Sequence, residues 1–161
     1  LPREAFTAFL GGVQNWGSIC GALPPAIFTI NLVVRGDRQV DMINELMAWY
    51  KATPFPIFQP RGMNLPTTVA DSSLCHASVT KFLHVMNVPR NSRERIERCG
   101  GLTADVTKFT VTMLNDFVDR KLDTGIFYKP SPIVEGCMAC HSARTHGKET
   151  CSACHADQVN K

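Results

Sequence analysis

The sequence predicts an all-α protein, with a helical body over residues 1–128 and a C-terminal, mostly irregular segment over residues 129–161. Three observations carry that division. Apolar residues recur at helical spacing through the body, and no alternating strand pattern runs for more than a few residues. From Lys129 onward, large apolar side chains almost vanish. A segment so poor in apolar groups cannot offset its own ordering entropy by packing, so something else must organise it.

The elements follow in order. Glu4 to Trp16 carries Phe6, Phe9, Leu10 and Val13 on one helical stripe, weakened by Gly11, Gly12 and Gly17. Pro24-Pro25 suits a first turn, and the helix from there to Val34 is apolar all round, which predicts burial. Gly36 ends it. Asp37 is placed to cap a third helix whose face is Val40, Ile43, Met47 and Tyr50. Thr53 to Ser73, with Pro54, Pro56, Pro60 and Pro66, reads as a long irregular connection. Ser72 or Ser73 caps a helix from Leu74 to about Asn87, stopped by Pro89. Ser92 starts a short charged helix through Arg98 that Gly100-Gly101 ends. Thr103 then caps the strongest helix, striped by Val106, Thr110, Met113, Leu114, Phe117 and Val118 and closed by Gly125.

Composition excludes several classes. With 161 residues there is room for one core and a small appendage. Charged residues at 19% against 44% apolar exclude a disordered tail protein. A net charge of +3 without any Lys/Arg run predicts neither a nucleic-acid partner nor an attachment to membrane surfaces. The longest apolar stretch, Ile19 to Val34, is short for a membrane span and broken by proline, so no membrane span is expected. The chain opens at Leu1 without a signal-peptide pattern, which reads as a processed form or a fragment.

Seven cysteines and five histidines are the unusual residues, and four of the cysteines crowd into the tail. There stand Cys137-Met138-Ala139-Cys140-His141 and Cys151-Ser152-Ala153-Cys154-His155. Each is C-x-x-C-H, the attachment signature of a c-type haem. Two thiols must reach the two vinyl groups of one porphyrin, so their spacing is short and fixed. The following histidine supplies the proximal nitrogen to the iron. The competing readings are a zinc ribbon with four thiolates, and two disulfides. The histidines discriminate. With five in 161 residues, one falls at a given position about 3% of the time, and a zinc ribbon needs neither. Cys137, Cys140, Cys151 and Cys154 are therefore assigned to covalent attachment of two haem c groups, with His141 and His155 on the irons. Only ten residues separate Cys140 from Cys151, which predicts haems in near contact.

Bis-His ligation needs two further histidines. His76 at a helix start and His146 in the inter-haem loop rank ahead of His84, which lies in an apolar run where a core histidine is the default. His146 sits too close to His141 to wrap over its own haem and points to a second subunit. Lys129, Arg144 and Lys148 flank the segment, either as an ordinary solvated loop or to steer an acidic partner.

Cys20, Cys75 and Cys99 stand apart. They read as buried apolar thiols, as one disulfide plus a free thiol, or as a metal or iron–sulfur site. A helix N-terminus stabilises thiolate, which suits Cys75 as a ligand.

Three segments then matter together. They are Trp16-Gly17-Ser18-Ile19-Cys20-Gly21-Ala22-Leu23, Ser73-Leu74-Cys75-His76-Ala77-Ser78-Val79-Thr80-Lys81, and Glu97-Arg98-Cys99 through Leu114-Asn115. Followed by two C-x-x-C-H motifs, they resemble the split-Soret cytochromes c over nearly the whole chain. The body alone is similar to the wider redox-protein family named for its four cysteines and a CGAxxG motif. The resemblance implies an all-helical homodimer with two closely held c haems per chain. It also implies an iron–sulfur centre, of the 2Fe–2S type, on Cys20, Cys75 and Cys99. Two departures are visible. Pro25 stands where the motif has its second glycine, and the chain begins after the family's upstream cysteine. A fourth cluster ligand then comes from a histidine, a water or a residue outside this sequence.

The resulting expectation is an electron carrier rather than an enzyme, because bis-His irons offer no open position. Covalent haem attachment, completed outside the cytoplasm, places it in the periplasm with redox-protein partners yet to be identified. The enzymatic alternative is a haem/iron–sulfur reductase acting on a small substrate. The third is a zinc-ribbon interaction module.

Overall fold

The computed structural model describes residues 3–122, 128–141 and 147–149, and the body is helical as expected. The chain divides into two compact units, Leu1–Phe127 and Tyr128–Lys161.

The first unit opens with a short 3-10 helix, Arg3–Phe9, in place of the longer helix expected to Trp16. Gly11 and Gly12, at φ +65° and +70°, turn the chain into a left-handed stretch that continues through Val13, Gln14 and Asn15. Helix α1, Leu23–Val33, carries its prolines in the first turn, where a missing N–H costs nothing. It buries Leu23, Ala26 and Ile30, but Phe28, Leu32 and Val33 are exposed, so the expected all-round burial is not found. Helix α2, Asp37–Ala52, follows Gly36, which is the capping residue itself at φ +69°. Asp37 is the first helical residue instead, where its charge complements the helix dipole. The buried face of α2 is Met42, Leu46 and Tyr50, rotated from the expected one, and Val40 is exposed.

The proline-rich connection is more ordered than expected. Strands β1, Pro54–Phe55, and β2, Thr68–Val69, pair antiparallel, with Phe55 opposite Thr68. Strands of two residues carry no readable alternation. Helix α3, Cys75–Met86, starts after an extended Leu74, whose N–H donates to Ser72 Oγ at 3.1 Å. Asn87 in the left-handed region ends it ahead of Pro89.

Helix α4 is the largest correction. A single helix runs Arg93–Val118, where a break at Gly100-Gly101 and a new cap at Thr103 were expected. Ser92 caps it, its Oγ accepting from the Arg95 N–H at 3.2 Å. It ends at Val118, and Gly125 lies outside the described residues. Gly101 is there for close approach rather than termination. A Cβ on Gly101 would stand 2.0 Å from the Phe58 carbonyl oxygen. The core forms where α1, α2 and α4 meet, on Leu23, Ile30, Leu46, Tyr50, Leu102 and Val106.

Two buried carboxylates of α4 hold the proline-rich connection against it. Asp105 accepts from the N–H groups of Ile57 at 2.8 Å and Phe58 at 3.0 Å, and Glu97 accepts from the Arg61 N–H. Hydrogen bonds to charged groups contribute more than neutral ones, and Asp105→Ala also orphans two N–H donors. That variant is expected to lose about 3 kcal/mol, read from the urea midpoint.

In the second unit, helix α5, Pro132–His141, contains the first C-x-x-C-H motif, with Cys137, Cys140 and His141 at i, i+3 and i+4. His146 and the second motif, Cys151, Cys154 and His155, lie outside the described residues.

Candidate metal centre

The three lone cysteines come from three elements, and backbone pairing assembles them. Residues 17–20 run beside residues 73–76. The Cys75 N–H donates to the Ser18 carbonyl at 2.7 Å, Cys20 N–H to the Ser73 carbonyl at 2.9 Å, and His76 N–H to the Gly17 carbonyl at 3.0 Å. This approach requires glycine. A Cβ on Gly12 would stand 2.8 Å from Cys75 Cβ, and one on Gly17 would stand 3.0 Å from His76 Cβ. Cys99 arrives on α4, whose neighbouring residue Arg98 reaches α3 through Nη2, donating to Ser78 Oγ at 2.8 Å. The Arg98 guanidinium also lies over the Phe82 ring at 5.6 Å.

Cys20, Cys75 and Cys99 consequently line one cavity of about 380 Å³, shared with Ser78, Arg95 and Arg98. None of the three is joined to another by a disulfide in this structure. Among the described residues no three His, Cys, Asp or Glu side chains form a cluster around a single ion. Three thiols around one cavity are soft donors of the kind that thiophilic metals take. A larger apolar groove of about 590 Å³, lined by Trp49, Ile57, Phe58 and Phe109, offers no such donors.

The thiols are shaped by burial. Desolvation raises Cys20, opposed by the neighbouring Tyr50 hydroxyl and by the Arg98 charge, while the Cys99 thiol adds to the rise. Burial pushes Cys75 up to about 11, with the Cys20 and Cys99 charges adding and Arg98 and Arg95 opposing. The stabilisation of a Cys75 thiolate expected from its helix N-terminus is therefore outweighed by desolvation. At neutral pH these two groups are protonated thiols. Metal loading displaces their protons, so affinity rises with pH. The Tyr50 hydroxyl is driven far above its usual range by burial and by Cys20; it is buried, and no partner meets it at good hydrogen-bonding geometry.

The histidines behave differently. His76 and His84 are both exposed, and neither lines the cysteine cavity. His84 sits in the last turn of α3 on its solvent side, so its apolar neighbours in sequence did not make it a core residue. Arg98, Tyr50 and Ser78 were missed by sequence reasoning. The signal for Arg98 was available, since the stripe through Val106 and Thr110, extended backwards across the glycines, passes through Leu102 and Arg98.

Comparison with known proteins extends these findings. The family model described as "Putative redox-active protein (C_GCAxxG_C_C)" matches residues 3–113. The chain is similar to the split-Soret cytochrome c of Desulfovibrio desulfuricans, at 35% identity over 168 residues, covering 97% of this chain and 60% of that protein. It thus spans 60% of the length of that relative. A solved structure, described as a novel iron centre in the split-Soret cytochrome c from the same organism, is 32% identical. It has a TM-score of 0.88 over 99% of this chain and 72% of that one.

Proposed function

This chain belongs to the C_GCAxxG_C_C family of redox-active proteins and is a homologue of split-Soret cytochrome c, and from that premise we propose that it is a periplasmic electron-transfer protein. It carries two covalently bound c haems in residues 129–161 and a non-haem iron centre, of the iron–sulfur class, on Cys20, Cys75 and Cys99. The observation that carries the second cofactor is the convergence of three sequence-remote cysteines, none in a disulfide, on one cavity. The residues fit such a centre in three respects. They are soft donors, they are half-buried, and cationic Arg98 and Arg95 accompany them to offset thiolate charge.

The haems are held by Cys137, Cys140, Cys151 and Cys154, with His141 and His155 as proximal ligands. His76 and His146 are the distal candidates and His84 the reserve. When bound, the haem iron cycles between ferric and ferrous, and the protein tunes it through ligation and burial. An exposed His76 suits a ligand role that a core position would not. The homodimer is supported by apolar surface that the first unit leaves uncovered, with Trp16 86% exposed and Leu10 66%. No helix among the described residues is long and apolar enough to cross a membrane, and partners are other redox proteins.

The test is an absorption spectrum of oxidised and dithionite-reduced protein, with iron and sulfide analysis and an intact mass. Two haem irons per chain, further non-haem iron, and colour that stays with the denatured chain are expected. Colour that extracts into acidified organic solvent, or a mass equal to the bare polypeptide, overturns the haem assignment. Haem iron alone overturns the centre. A colourless protein containing zinc returns the zinc-ribbon reading.

A further inference from the structure

Arg98 poses an unbalanced charge. It is 1% exposed, yet its contacts are neutral: Ser78 Oγ at 2.8 Å and the Phe82 ring at 5.6 Å. Its Nε is buried with no acceptor. The buried acids of its own helix are engaged elsewhere, Asp105 by the Ile57 and Phe58 N–H groups and Glu97 by Arg61. Among the described residues no carboxylate pairs with Arg98. A buried guanidinium left in that state costs several kcal/mol, which a folded chain tolerates only where an anion completes the site. The groups that share its cavity and can become anionic are Cys20, Cys75 and Cys99.

We infer that Arg98 is the built-in counter-charge of the centre held by Cys20, Cys75 and Cys99, a positioning residue that sets the centre's reduction potential. The inference rests on the non-haem centre proposed above. Thiolate ligands bring net negative charge into a buried space, and reduction by one electron adds another. A fixed positive charge nearby favours the reduced form, so removing it lowers the potential. The Ser78 bond fixes where the guanidinium sits, and its Nε has no other hydrogen-bond partner.

The test is a redox titration of the whole protein, following the non-haem centre by its optical and EPR signals, in wild type, Arg98→Gln and Arg98→Lys. Arg98→Gln removes the charge and keeps a polar amide at the position of Nε. Its equilibrium constant for one-electron reduction is expected to fall roughly tenfold, which is about 59 mV. Arg98→Lys keeps the charge and should stay within about threefold of wild type. A wild-type potential in Arg98→Gln overturns the inference, as does an equal shift in both variants. If Arg98→Gln fails to fold, Arg98→Met, which removes the charge from a side chain of similar length, takes its place: a wild-type potential overturns the inference, and a roughly tenfold fall upholds it. Wild-type protein without non-haem iron sinks the centre itself and this inference with it. Iron-loaded protein with unmoved potentials sinks only the role of Arg98.

Discussion

Cys75→Ser is expected to reduce non-haem iron to less than about a tenth of the wild-type content while leaving haem absorption and helix content unchanged. A serine hydroxyl is nearly isosteric with the thiol but ionises far less readily, and it is a hard donor where iron–sulfur centres take soft thiolates. Cys75 suits the experiment because its structural contribution is carried by its backbone. The N–H bond to the Ser18 carbonyl, which draws residues 17–20 onto the start of α3, survives the substitution. The side chain is only half-buried, so the stability cost should remain within about 1 kcal/mol. Cys99→Ser, on a different element, should give the same loss. Wild-type iron in Cys75→Ser would place the centre elsewhere, and loss of haem absorption in the same variant would show that the two cofactor sites are not separate.

The distribution of what the sequence revealed follows from which physics is local. The C-x-x-C-H motifs stood out in the sequence because covalent haem attachment would fix ligand spacing within five residues, so that such chemistry is written in consecutive letters. The three lone cysteines were individually uninformative. A cysteine at position 20 shows its relation to one at 75 only when residues 17–20 and 73–76 pair, and that pairing depends on glycines whose role is to admit a neighbouring backbone. The resemblance to known redox proteins, more than periodicity, joined them in advance. Local rules failed where tertiary contact overrode them. The all-round apolar sequence of α1 predicted burial, yet Leu32 and Val33 are exposed, since among the described residues the core reaches only the face carrying Leu23, Ala26 and Ile30. The Thr53–Ser73 connection looked structureless because its order comes from Asp105 and Glu97, more than thirty residues away.

The clearest conflict between local and tertiary rules is at adjacent glycines, and it predicts opposite signs for two neighbouring substitutions. By helix propensity alone, Gly→Ala within α4 should stabilise by about 1 kcal/mol at either position. At Gly100 that expectation stands, because the nearest atom a Cβ would meet is the Pro60 side chain at 4.0 Å. At Gly101 the Cβ would stand 2.0 Å from the Phe58 carbonyl oxygen and 2.9 Å from Pro56 Cβ. These are backbone and ring atoms that cannot rotate away, so the connection must retreat from α4. Overpacking of this kind costs about 3 kcal/mol or more, which exceeds the propensity gain. Gly101→Ala is therefore expected to lower the urea midpoint and Gly100→Ala to raise it. The retreat would also strain the Asp105 bonds to Ile57 and Phe58 and move the turn of α4 that carries Cys99, so Gly101→Ala should bind less non-haem iron than Gly100→Ala. Equal midpoints for the two variants would mean that α4 and the connection are not packed at contact distance, and that the glycine pair serves only to weaken the helix.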